Sequence, residues 1–241
     1  MTHEGKVAVV TGGTGGLGQA VVVAFVRAGA AVGVTYRSED ELAALEAELG
    51  KESVYDAARF LALKTELTDE AAVGAAFDSI EAKLGGFDIL VNLVGGWRGG
   101  KTVAETDLTD LDWLLDVNLR APFVTCKAAF PRLAARGWGR IVNVSARASL
   151  VGPAKGAMYA VSKRPVITLT ESLAAEGKDA GVTANAVLPS VIGTNANRRN
   201  LPDADQSRWV EPEDIAEVIL FLASEEAGIV SGGAIPVYGR A

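Results

Sequence analysis

Apolar residues in this chain come in short, nearly unbroken runs. Val, Ala, Ile and Leu dominate positions 6–11, 31–36, 60–64, 88–93, 140–145, 183–189 and 234–238, and Gly, Pro or charged residues bound each run. A strand covered on one face alternates apolar and polar positions, whereas one covered on both faces is apolar throughout. The runs therefore predict strands of a sheet buried between two layers. Helical spacing fills the intervals. It follows Gly16, covers 69–84 and roughly 110–136, and resumes at Pro212-Glu213-Asp214, where a proline and two acids suit the first turn of a helix. Strand-helix alternation of this kind predicts an α/β fold, a doubly wound parallel sheet with helices on both faces. Ligands of such sheets bind beyond the carboxyl ends of the strands, so the loops after Thr11, Leu93, Ser145 and Pro189 are expected to converge on one cleft.

Composition narrows the classes. The chain has 241 residues, 49% of them hydrophobic, which is enough for one large core and predicts one domain spanning 1–241. No window approaches eighteen uncharged apolar residues, and no apolar run follows a basic flank near the start. Neither a membrane span nor a signal peptide is expected, and the expected location is the cytoplasm. One Cys (Cys126) and one His exclude an internal disulfide and a His/Cys metal site, so no metal is expected. A net charge of −7 argues against a nucleic-acid surface, which needs clustered Lys and Arg. The partner expected is a small molecule.

Thr11-Gly12-Gly13-Thr14-Gly15-Gly16-Leu17-Gly18 lies between the first predicted strand and the first predicted helix. Glycines there let backbone amides approach a pyrophosphate at the positive end of a helix. The segment resembles the TGxxxGxG loop of short-chain dehydrogenases/reductases, a resemblance that spreads over nearly the whole chain. It implies a Rossmann-type fold and dinucleotide contacts at Gly12, Thr14, Gly15, Gly16, Leu17 and Gly18. It implies further contacts at Glu66, Leu67, Asn92, Gly95, Pro189, Ile192 and Thr194. The second strand ends at Tyr36-Arg37, where an arginine attracts the 2'-phosphate of NADP(H) and a carboxylate would repel it. Arg37 therefore favours NADP(H), with NAD(H) also possible. Its other reading is a solvated charge.

Tyr159 and Lys163 stand four residues apart, hence on one face of a helix. A phenol is a poor acid or base at neutral pH, and a nearby cation that favours phenolate brings it toward its working range. The family resemblance makes these two the proton-handling pair, gives Lys163 a second role at the nicotinamide ribose, and places Asn118 in a water relay behind the lysine. Pro165 falls inside the same helix, where it removes an amide donor and is expected to kink it. Family members usually carry a serine thirteen residues before the tyrosine; here that residue is Ala146. Ser145 is adjacent, but one step along an extended segment turns a side chain to the opposite face.

Three patches, at 95–100, 146–150 and 188–205, resemble dihydropteridine reductases, members of the same superfamily that also have alanine at the serine position. The resemblance implies hydride transfer to a flat, conjugated acceptor such as a quinonoid dihydropterin, with Trp97 as a stacking surface. Two alternatives stand beside it. One is a carbonyl or 3-oxoacyl reductase that uses Ser145 or a water in place of the serine. The other is a dinucleotide-binding regulatory protein whose chemistry has decayed. The family resemblance also implies a homo-oligomer, dimeric or tetrameric.

Overall fold

A computed structural model of the chain describes residues 2–240. Seven strands form one sheet in the order β3-β2-β1-β4-β5-β6-β7. They are β1 Val7–Thr11, β2 Ala31–Tyr36, β3 Phe60–Lys64, β4 Ile89–Asn92, β5 Gly139–Val144, β6 Val182–Pro189 and β7 Ala234–Val237. Every neighbouring pair is parallel. All seven coincide with the predicted runs to within a residue at each end. β7 is half-exposed at the sheet edge and carries Pro236, which an edge position tolerates.

The helices are α1 Gly16–Arg27, α2 Glu39–Leu49, α3 Glu70–Leu84, α4 Leu108–Leu115, α5 Ala121–Ala135, α6 Ala148–Val151, α7 Ala157–Gly177, α8 Asn195–Asn200 and α9 Pro212–Leu222. Val21, Val22 and Phe25 of α1 and Ile215 and Ile219 of α9 pack on Val32, Val34, Ile89 and Val91 on one face of the sheet. Phe77 and Ile80 of α3, Leu133 of α5 and Leu173 of α7 pack on Val7, Val9, Leu90 and Ile141 on the other. Covering both faces is what makes the strand sequences continuously apolar. The strand order reverses beside β1, which pairs with β2 on one side and β4 on the other. Thr11 pairs with Thr35 and with Asn92, and Asn92 with Asn143, so four strands end level and their loops emerge together.

One expectation is corrected. The helical stretch over 110–136 is not one helix: α4 gives way to a π-helical turn over Asp116–Arg120 before α5 begins. α7, in contrast, runs unbroken through Pro165. The residue whose carbonyl loses its partner there, Val161, is exposed, so water is available to replace the missing amide. α2 was not foreseen, because it buries only Leu45 and Leu49 and leaves a weak apolar pattern. Among the described residues no helix is long and apolar enough to cross a membrane.

His3 ties the start of the chain to α1. Its amide donates to Ala28 O at 2.7 Å, and its ring meets Phe25 edge-on at 5.3 Å. Neither ring nitrogen makes a well-formed hydrogen bond, and burial, against the opposing pull of the Ala223 backbone and Glu226, holds the imidazole below its ordinary pKa of 6.5. The folded state therefore resists protonation that the unfolded chain accepts. The His3 contribution is complete above pH 6.5 and is lost as pH falls through the depressed folded value. Urea unfolding of wild type and His3→Leu from pH 7 down to 5 should show the wild type losing its advantage over the variant as the pH drops.

Candidate active site

The loop between β1 and α1 can be built only from glycine at its tightest points. Gly12 has φ +67°, and a Cβ there would lie 2.8 Å from Val94 Cγ2. A Cβ on Gly18 would lie 2.2 Å from Gly12 O, so the loop folds directly onto the first turn of α1. The Gly12 amide donates to Thr35 Oγ1 at 3.4 Å and the Gly15 amide to Gly12 O at 3.1 Å. Gly15 is the N-cap of α1; it offers no side-chain acceptor, and no acid lies in the first turn. The positive end of this helix is thus left for an external anion. Leu17 turns its side chain into the core, leaving its backbone in the turn.

A cleft of about 440 Å³ opens beyond the strand ends, lined by Gly12, Thr14, Gly15, Arg37, Glu66, Leu67 and Gly95 among others. Gly16 and Thr194 line a neighbouring groove of about 1030 Å³, with the Thr194 methyl 2.9 Å from where a Cβ on Gly16 would stand. Hydrogen bonds from the Thr68 hydroxyl and amide, then the charge of Arg37, hold the Glu66 carboxyl below its usual range. Pro189 ends β6, and Ile192 bridges to Val210 and packs against the core below the loop. Asn92 lies elsewhere. Its side chain is buried and fully engaged, donating to Asn143 Oδ1 at 2.8 Å and accepting from Thr125 Oγ1 at 2.8 Å and Thr11 Oγ1 at 3.1 Å. It braces the strand ends and offers nothing to the cleft.

Asn118 sits in the π-helical turn with no exposure to solvent. Its Oδ1 accepts from the Gly96 amide, and its Nδ2 donates to Gly96 O and Ser162 Oγ, each at 2.9 Å. Ser162 in turn donates to Tyr159 O at 2.9 Å. Lys163 Nζ donates to Val144 O at 3.0 Å. A Cβ on Gly95 would come within 2.6 Å of Lys163 Nζ and 3.0 Å of Asn118 Oδ1, so these side chains converge on one glycine. Tyr159 lies one helical turn before Lys163 in the first turn of α7. Burial pushes the phenol up to about 12 and the ammonium down to about 8. Burial alone raises the phenol, as it lowers the ammonium. At neutral pH the phenol holds its proton.

Ser145 does not take the place of the missing serine. It is buried, and its hydroxyl donates to Lys163 O at 2.8 Å and contacts Ser149 Oγ at 3.2 Å. Ser149 donates to Ala146 O at 2.7 Å. The Ser145 hydroxyl holds the end of β5 against α7, and the Ser149 hydroxyl closes the turn that follows β5. Trp97, 62% exposed, stands on the loop after β4. Trp113 lines the cleft with the Arg98 guanidinium 4.1 Å over its ring.

Sequence reasoning missed Thr35, Trp113, Ser162 and Glu41. Thr35 and Ser162 are single hydroxyls whose roles exist only across elements. Glu41 follows Ser38 at the spacing of a helix cap, which hides any other use.

Residues 6–205 match the family model described as short chain dehydrogenase. The chain belongs to the short-chain dehydrogenase/reductase family. It is 36% identical to nodulation protein G of Azospirillum brasilense over 97% of both chains. It is 34% identical to an acetoacetyl-CoA reductase of Rhizobium meliloti, again over 97% of both. Its fold superposes on ElxO with NADP bound at a TM-score of 0.89, with 26% identity over 97% of each chain. The chain is an NAD(P)-dependent oxidoreductase.

An added methyl at Gly18 must displace the Gly12 carbonyl. Gly18→Ala is expected to lower stability by about 1–3 kcal/mol through overpacking, read as a lower urea midpoint.

Proposed function

We propose that this oxidoreductase transfers hydride from NAD(P)H to a flat, conjugated acceptor, with Tyr159 donating the proton and one domain serving both cofactor and substrate. The observation that carries this reading is the engagement of Ser145 with the α7 backbone, beside Ala146. No serine hydroxyl is left at that position to receive charge developing on a simple carbonyl oxygen. A conjugated ring spreads that charge and needs one donor fewer, and exposed Trp97 offers it a stacking face. A quinonoid dihydropterin is the candidate drawn from the sequence patches, though the relatives named above give it no support.

The uncapped α1 terminus, the glycine loop and Arg37 fit a dinucleotide carrying phosphates. Such a cofactor, when bound, would supply the hydride. Gly12, Thr14, Gly15, Gly16 and Thr194 would hold the pyrophosphate of such a dinucleotide, and Arg37 would favour NADP(H). Protonated Tyr159 gives up its Oη proton to the acceptor. Lys163, anchored through Val144 O, sets a positive charge beside the site, and Asn118 keeps Gly96 and α7 in place. A second reading, carbonyl reduction with a water in the serine's role, is favoured by the acetoacetyl-CoA reductase among the relatives.

A panel of quinonoid dihydropterin, quinones, ketones and acyl thioesters, followed by NAD(P)H oxidation, separates the two. Turnover confined to conjugated acceptors supports the first. Ready turnover of ketones or thioesters supports the second, and turnover of nothing despite cofactor binding supports a decayed regulatory protein. Tyr159→Phe should slow reduction at least about a hundredfold. Ala146→Ser should raise turnover of simple ketones relative to conjugated acceptors.

The ammonium of Lys163 loses its proton as pH rises through about 8. kcat/KM for reduction is therefore expected to fall above that pH. Lys163→Arg, whose charge persists, should flatten the limb even if its overall rate is lower.

A further inference from the structure

The end of β2 has no carboxylate for the adenosine ribose; it presents Tyr36 and Arg37. A carboxylate reaches the same cleft from another element. Ser38 caps α2, accepting from the Glu41 amide at 3.4 Å, which places Glu41 at the third helical position. A glutamate there normally turns back to the amide of the capping residue. Glu41 instead extends to the glycine loop, where its Oε2 accepts from Thr14 Oγ1 at 3.1 Å, across 27 residues of sequence. Thr14, Gly15 and Glu41 line both the 440 Å³ cleft and the 1030 Å³ groove, so the Thr14–Glu41 contact stands where the two meet. Arg37 lines the same cleft.

The other charges nearby do not reproduce this arrangement. Glu39 pairs with Lys64 at 3.2 Å, and Glu66 turns to the Thr68 hydroxyl at 2.8 Å. Glu41 spends its carboxylate on a residue of the nucleotide loop itself. A carboxylate in a ribose site accepts from a free hydroxyl and repels a phosphate ester, while an arginine does the reverse.

We propose that Glu41 is a specificity-determining residue that opposes Arg37: it favours the free 2'-hydroxyl of NADH and restrains the preference for NADPH. The proposal rests on the reading that NAD(P)H occupies this cleft. The balance of two opposed charges then lets the protein use both cofactors.

Isothermal titration of NADH and NADPH into the wild type, Glu41→Gln and Arg37→Ala tests it without turnover. The amide of Glu41→Gln keeps an acceptor for Thr14 and removes the charge. The expected result is a shift of about tenfold in the ratio of the two Kd values toward NADPH in Glu41→Gln, equivalent to about 1.4 kcal/mol. Arg37→Ala should shift the ratio toward NADH. An unmoved ratio in Glu41→Gln, or equal weakening of both cofactors, overturns the proposal and reduces Glu41 to a support of the loop. Failure of the wild type to bind either cofactor overturns the reading of the cleft as well.

Discussion

The site depends on a buried polar network that locks the ends of the central strands. Asn92 of β4 accepts from Thr11 of β1 and Thr125 of α5 and donates to Asn143 of β5. Asn143 donates to Thr170 of α7 at 2.9 Å. In a low-dielectric interior each of these groups would be costly unpaired, and paired they fix one arrangement of three strands and two helices. Those elements carry the glycine loop, the π-helical turn and the first turn of α7. The network also encloses Cys126, whose thiol burial pushes up to about 12 against the opposing contacts of Asn143 and Asn92.

On that frame, burial governs the chemistry. Lys163 is enclosed without a carboxylate partner and loses much of its hold on its proton; Tyr159 gains on its own for the same reason. A pair poised in this way favours a protonated donor at neutral pH. The π-helical turn adds one more constraint. By widening the helix at Asp116–Arg120 it directs Asn118 toward Gly96 and Ser162, joining the loop after β4 to α7.

The serine-to-alanine difference has a structural counterpart. Ser145 and Ser149 retain hydroxyls, but the first is drawn to the backbone of α7 and the second to Ala146 O in the turn before α6. The end of β5 is therefore held to α7, and the position after Ser145 is the apolar Ala146. The same division of labour recurs at the nucleotide end, where Glu41 leaves its own helix cap to hold Thr14.

The strands were legible in the chain because a sheet buried on both faces requires continuous apolar runs, and the glycine loop because its tightest points, Gly12 and Gly18, admit no side chain. Tyr159 and Lys163 were legible through the family resemblance, to which helical spacing adds only that the two share one face. α2, with two buried leucines, was not, nor was the break between α4 and α5, since a π-helical turn has no hydrophobic signature of its own. The tertiary structure alone decided that the Asn92 side chain is spent on neighbouring strands, that Glu41 reaches the glycine loop, and that burial raises the Tyr159 phenol. Each of these outcomes depends on distances between elements far apart in sequence. Periodicity records which face a residue occupies, but the partner it meets there is set by how the layers pack.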